Sequence, residues 1–270
     1  MLTAYITWNV DPEIFRLGNV AVRYYGLLFA LGFYLGYLIM ARIFTLEKVP
    51  QAKLDQLAIL MIASTIIGAR LGHCLFYEPD YYLSKPLEMF KVWKGGLASH
   101  GAAVGILFAL WLFTKKSGKS FLWILDRVVI TVALAGSFIR LGNLMNSEIY
   151  GDPTTLPWGF LFIRNMEELP RHPTQIYEAL AYLLIFIFLF RTYHQKRQSL
   201  REGFIFGWFL VLLFLTRFLV EFIKNPQVGF EESMLLNMGQ LLSIPFILLG
   251  VWVLWKYGYA RKKNSKANPA

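Results

Sequence analysis

Apolar residues in this chain come in long blocks separated by short polar connections. Runs near 20 residues, the length a helix needs to cross about 30 Å of hydrocarbon, fall at roughly 20–41, 57–77, 97–114, 121–142, 174–193, 203–222 and 235–255. The first, fourth and sixth contain a charge, which blurs their edges but leaves the pattern intact. The blocks predict an all-α integral membrane protein, a bundle of about seven transmembrane helices in a single polytopic membrane domain over 1–270. The longest connection facing the same side as the N-terminus, 143–173, contains Gly-Asp-Pro and Leu-Pro turn chemistry. It is expected to form a small extracytoplasmic (periplasmic) cap. GFYLG (Gly32, Gly36) and GARLG (Gly68, Gly72) are small-xxx-small pairs suited to close helix packing.

Composition supports the blocks. Hydrophobic residues make up 56% of the chain and charged ones 16%, against about a quarter charged in soluble domains. The single cysteine, Cys74, excludes an internal disulfide or a thiolate cluster and reads as a small buried apolar residue. The four histidines, at 73, 100, 172 and 194, lack HExxH-type spacing, so neither a metal nor another cofactor is expected. The opening MLTAYITWNVDPEIF has no basic n-region or long apolar core, and no cleaved signal peptide is expected.

A formal charge of +10 would point a soluble protein toward nucleic acid, but here its distribution along the chain matters more. The linkers 42–56, 115–120 and 191–202 and the tail from Lys256 carry three, three, four and five Lys/Arg, fifteen in all. The opposite segments hold eight: Arg16, Arg23, Lys85, Lys91, Lys94, Arg164, Arg171 and Lys224. By the positive-inside rule the N-terminus lies outside and the tail YGYARKKNSKANPA is cytoplasmic. The basic residues are thus accounted for by topology, and no nucleic-acid partner is expected.

That orientation gives each in-span polar residue a depth. Arg70, His100, Arg140 with Asn143, Gln175 with Glu178, and Arg217 with Glu221 all fall in the outer half, as do Arg23, Tyr24 and Tyr25. Arg127 sits beside Asp126 at the cytoplasmic entry of the fourth span, as a boundary ion pair would. A charge at bilayer depth costs roughly 2.5–3.5 kcal/mol on insertion scales, so such groups usually face protein or a water-filled cavity. A transporter would keep its polar groups near the midplane, often on broken helices. Groups gathered at headgroup level suit catalysis on a lipid. Guanidiniums grip phosphate oxygens bidentately, and the arginines outnumber Glu178 and Glu221. Simpler readings exist for several residues. Arg217 and Glu221 could neutralise each other, Arg70 could snorkel, His100 could be a packed imidazole, and Tyr24 and Tyr25 could belong to an aromatic belt. Arg140 and Asn143, three apart on one helical face, are hardest to explain that way.

GGLASHG (95–101), RLGNLMNSEIYG (140–151), HPTQIYE (172–178) and RFLVEFIKNP (217–226) together resemble the bacterial prolipoprotein diacylglyceryl transferase family. The resemblance extends from VRYYG in the first span through the sixth. It implies a multi-pass enzyme of the bacterial cytoplasmic (inner) membrane that moves the diacylglyceryl group of phosphatidylglycerol onto the lipobox cysteine thiol of a prolipoprotein signal peptide. Glycerol-1-phosphate is then the other product. By the same resemblance Arg140 binds phosphatidylglycerol, Asn143 is its partner, and Glu148 and Gly151 close that motif. His100 is the essential histidine, Tyr25 the first-span tyrosine, and Arg217 with Glu221 the penultimate-helix pair. On this reading His100 is the thiol base, Arg140 and Arg217 clamp the phosphate, and Arg70 adds field or binds a second lipid. Three positions depart from the family pattern: Ile139 and Ser147 replace glycines, and Leu213 stands where some relatives have tyrosine.

Overall fold

The computed structural model describes residues 5–18, 20–92, 95–225 and 234–258. Lys94, Pro226 and the tail 259–270, all used in the sequence arguments, lie outside the described residues. The main helices are α1 (Tyr24–Leu46), α2 (Gln51–Phe76), α3 (Pro79–Ser84), α4 (Ser99–Ser117), α5 (Phe121–Met145), α6 (Thr174–Lys196), α7 (Phe204–Val220) and α8 (Met238–Val253). Short strands accompany them: β1 (Ile6–Trp8), β2 (Glu13–Leu17), β3 (Val20–Arg23) and β4 (Phe160–Phe162).

Among the described residues six helices are long and apolar enough to cross a membrane, where the sequence predicts seven. The run read at 97–114 is helical as α4, but Ser99 and His100 open it and Lys115 and Lys116 close it, which dilutes its hydropathy. The all-α expectation also needs amendment. Residues 20–23 pair with β2 as a hairpin strand, so α1 starts later than the apolar run does. Large apolar side chains stand exposed in stripes, Ile59, Ile62 and Ile66 on α2 and Val104, Leu107, Phe108 and Trp111 on α4. Arg70, Asp126, Glu178 and Lys224 are buried. This reversal of a soluble domain's pattern belongs to a multi-pass membrane protein.

The chain divides into two compact units, Tyr37–Leu125 and the remainder, Met1–Gly36 with Asp126–Ala270. In the first, α2 and α4 cross at the GARLG glycines. A Cβ on Gly72 would lie 2.7 Å from Gly101 Cα, and one on Gly68 would lie 3.0 Å from Gly105 Cα. The backbones therefore touch, as small-xxx-small spacing allows. Arg70, also on α2, turns into the loop that follows the 3-10 turn Pro86–Phe90.

In the second unit, Gly32 and Gly36 of α1 face Ala135 and Thr131 of α5. Ser137 Oγ donates to the Ala179 carbonyl of α6 at 2.8 Å. Asp126 starts α7 from a distance, its carboxylate accepting the Gly203 and Phe206 N–H groups at 2.7 and 2.8 Å. Those are two of the orphan donors every helix start must satisfy. Arg127 Nη1 lies 3.9 Å from Asp126, the boundary pair that the sequence predicts.

The 146–173 connection is folded rather than loose. β1 pairs in parallel with β4, Trp8 Nε1 donates to the Leu144 carbonyl at 3.1 Å, and Phe160 and Phe162 pack with Leu144, Trp8 and Tyr150. Arg171 closes the far end on Glu167 at 2.7 Å. A small apolar core thus anchors the turn that leaves α5.

Candidate functional site

Arg140 and Asn143 lie in the last two turns of α5, three residues apart, so both side chains leave the same face. Arg140 Nη1 donates to Asn143 Oδ1 at 3.3 Å, and Asn143 Nδ2 donates to Glu148 Oε1 at 2.8 Å. Asn146 Nδ2 reaches the same oxygen at 3.3 Å. The two bonds fix the Asn143 amide with its oxygen toward the guanidinium and its nitrogen toward the carboxylate.

Glu148 is held by its backbone as well. Its N–H donates to the Asn143 carbonyl at 3.0 Å, and its carbonyl accepts from Gln175 Nε2 of α6 at 2.7 Å. The flanking residues are strained, Ser147 at φ 53° and Ile149 at φ 61°. A β-branched residue is a true outlier there. The Ser147 departure from glycine therefore falls at a left-handed position, where the missing glycine would have cost least.

The other side of Arg140 faces a carboxylate. Its Nε lies 3.0 Å from Glu178 Oε2, a fully buried group of α6 whose other oxygen accepts from Tyr182 at 3.3 Å. Glu178 Oε2 has no aligned hydrogen bond despite that short distance. The contact is an ion pair by proximity, because opposite charges attract without regard to the angle a hydrogen bond needs.

The same oxygen lies 3.9 Å from Lys224 Nζ, which also reaches Glu221 Oε2 at 3.4 Å. Lys224 follows the 3-10 turn Glu221–Ile223 that ends α7, and its side chain is only 2% exposed. Burial holds its ammonium below the ordinary lysine value, with the two carboxylates acting against that. Arg217, one turn before Glu221, lies within electrostatic reach of Lys224 and Tyr182.

Several sequence expectations change at this point. Glu221 pairs with Lys224, not with Arg217, and packs against Gly239, where a Cβ would meet its Cδ at 2.5 Å. Arg217 Nε is buried without a hydrogen-bond partner. Gly151 is confined: an added Cβ would meet the Ile223 carbonyl, with His172 Cβ and Thr174 Cγ2 each at 2.8 Å. Its backbone bridges to Lys224, so the last glycine of the motif is fastened to the end of α7. Tyr25, in the first turn of α1, lays its ring on Gly142 and feels the charges of Glu148 and Arg140.

Arg70 and His100 belong to the other unit. Arg70 donates to the carbonyls of Met89, Gly95, Gly96 and Glu88 at 2.9, 2.5, 3.2 and 2.7 Å, and sits 4.9 Å from the Tyr82 ring. A buried guanidinium with its donors on four carbonyls neither snorkels nor keeps a free fork for phosphate, so Arg70 shapes the loop ahead of α4. His100 is exposed in the first turn of α4 and makes no hydrogen bond among the described residues, unlike the packed imidazole the sequence allows.

All six buried side-chain atoms without a hydrogen-bond partner among the described residues belong to Asn146, Ser147, Gln175, Glu178, Arg217 and Gln240. Native interiors pair nearly all such atoms. Of these, Glu178 touches Arg140, Gln175 holds the Glu148 carbonyl, and Arg217 lies within electrostatic reach of Tyr182 and Lys224. Beside it, an open cavity of about 430 Å³ is lined by Asn146, Ser147, Glu148, Ile149, Tyr150, Asn165 and Asn225. What the sequence reading missed is Lys224, counted there only as an outer lysine. The available signal was its spacing, three residues from Glu221 and seven from Arg217, on one helical face.

A buried set of guanidiniums, amides and carboxylates at the ends of apolar helices defines a multi-pass membrane protein with a buried polar centre. The chain belongs to the prolipoprotein diacylglyceryl transferase family, whose model matches residues 12–256. Curated relatives named phosphatidylglycerol–prolipoprotein diacylglyceryl transferase resemble it over nearly their full lengths. The Tolumonas auensis protein is 49% identical over 245 residues, covering 90% of this chain and 94% of the relative. Those of Chloroherpeton thalassium and Porphyromonas gingivalis are 45% and 48% identical, each covering 94% of this chain and 95% of the relative.

Proposed function

We infer that this protein transfers the diacylglyceryl group of phosphatidylglycerol to the lipobox cysteine thiol of a prolipoprotein, and that the Arg140 face of α5 holds the lipid phosphate. The observation that carries the reading is a buried charge cluster in which Arg140 pairs with Glu178, Lys224 reaches Glu178 and Glu221, and Arg217 Nε has no hydrogen-bond partner among the described residues. A guanidinium with a buried Nε and no carboxylate of its own among those residues suits a phosphodiester monoanion.

In the reaction, thiolate sulfur bonds to the glyceryl methylene while the carbon–oxygen bond to phosphate breaks. Glycerol-1-phosphate departs with the electron pair, and its phosphate gains one negative charge. Arg140 keeps part of its fork for that oxygen, since Nε faces Glu178 and Nη1 faces Asn143. Arg217 brings a second guanidinium whose Nε is uncommitted. Charge-directed donors already in place stabilise the leaving group without reorganisation. Asn143 and Glu148 orient the headgroup, Tyr25 walls it, and Glu221 is held for the cluster by Lys224.

His100 is the proposed thiol base. A free thiol with a pKa near 8.5 is only a few per cent ionised at neutral pH, and a positioned imidazole is the side chain most often used as a general base. Its exposed, uncommitted ring and the family resemblance support this role.

In the proposed topology α4 completes the seven spans, the N-terminus and the 143–173 cap lie outside the inner membrane, and the C-terminus is cytoplasmic. The Lys/Arg asymmetry supports it. The test is transfer from phosphatidylglycerol to a lipobox peptide: Arg140→Ala, still monodisperse in detergent, is expected to be inactive, and full activity in that variant refutes the clamp.

A further inference from the structure

Lys224 is buried at the end of α7, yet it serves more than one element. Its ammonium reaches Glu178 of α6 and Glu221 of the turn after α7, at 3.9 and 3.4 Å, while its backbone bridges to Gly151. A lysine at a helix end near the membrane surface normally extends its head to water. This one folds inward between two carboxylates, of which only Glu178 has another cation, Arg140, as a partner among the described residues.

We propose that Lys224 is a positioning residue for the transfer reaction, engaging Glu178 and Glu221 together so that those carboxylates do not neutralise Arg140 and Arg217. Counting formal charges makes the point. Arg140 and Arg217 stand against Glu178, Glu221 and, through Asn143, Glu148, so without Lys224 the cluster is one net negative, and Lys224 brings it into balance before the phosphate arrives. Glu178 already stands 3.0 Å from Arg140 Nε. Without Lys224 to share that carboxylate, the guanidinium is drawn further onto it and its field at the phosphate weakens. Glu221, released from Lys224, lies four residues from Arg217 on the same helical face and is free to swing onto it. Lys224 thus acts through the arginines and need not touch the lipid. Because phosphate gains charge as the bond to carbon breaks, a neutralised clamp costs more in the transition state than in the bound lipid.

The proposal rests on the phosphate-clamp reading. Its test uses the full chain in detergent with phosphatidylglycerol and a lipobox peptide, comparing Lys224→Met and Lys224→Arg with the parent. Lys224→Met is expected to lower kcat by on the order of tenfold to a hundredfold, with KM for phosphatidylglycerol changed by less than about threefold. Lys224→Arg, which restores the charge, is expected to recover kcat to within about threefold. If the methionine variant is not monodisperse, the same split is read on Lys224→Gln. An unchanged kcat overturns the proposal. So does a folded Lys224→Arg as slow as Lys224→Met, or failure of both neutral variants to fold while the arginine variant folds, since space or stability alone would then be at stake. Unchanged kcat at Lys224 with an inactive Arg140→Ala removes this inference and leaves the clamp standing, whereas an active Arg140→Ala removes the clamp itself.

Discussion

Gly151→Ala tests whether the turn after α5 must keep its present position against α7. The added methyl would press on the Ile223 carbonyl and would meet His172 Cβ and Thr174 Cγ2 at 2.8 Å. Non-bonded carbons prefer about 3.5–4.0 Å, so the turn must retreat by about 1 Å. The three neighbours lie on the end of α7, the approach to α6 and α6 itself, and cannot all give way together. Overpacking of this kind costs about 1–3 kcal/mol of stability. The functional loss is expected to be larger, because Gly151 pairs with Lys224 and ends the turn that carries Glu148 to Asn143. A displacement of about 1 Å in a positioned group can cost about a hundredfold in rate. The assay is transfer to a lipobox peptide, with thermal melting in the same detergent. We expect kcat/KM to fall by about a hundredfold with a modest drop in melting temperature. A variant that matches the parent in both measurements would refute the claim that the turn's placement organises the site.

Glu178→Gln keeps shape but removes the charge facing Arg140 and Lys224; breaking such a buried pair costs about 3–5 kcal/mol, which should appear as a clearly lower melting temperature. An unchanged melting temperature would show that the carboxylate is not structurally engaged. Cys74→Ala should retain the full transfer rate, since the thiol is wholly buried; an inactive but folded variant would place the thiol in the mechanism. Gly101→Val should abolish monodisperse protein, because the α2 backbone leaves no room for a side chain there, and a parent-like melting curve would contradict that packing.

Much of this was legible in the linear pattern. The apolar blocks located every long helix, and the glycine pairs at 32/36 and 68/72 marked real close approaches. Arg140 and Asn143 could be placed on one face because their spacing is local to a helix. Hydropathy is weakest at α4, whose polar ends dilute an apolar middle. It also hides the β2–β3 hairpin, since an apolar strand ahead of a helix looks like its first turn. Tertiary partners were harder to read. Arg217 with Glu221 is the obvious local pair, but Lys224 takes the carboxylate because the 3-10 turn after α7 directs it inward. Arg70 looked like a free cation for the same reason: its loop carbonyls lie 18 to 26 residues away in sequence.

The central claim is that the Arg140–Arg217 cluster holds a lipid phosphate. Native mass spectrometry of the detergent-released protein titrated with phosphatidylglycerol tests it most directly. The parent should retain bound lipid at concentrations where a folded Arg140→Ala, Arg217→Ala double variant retains none. Equal retention by both proteins would contradict the account.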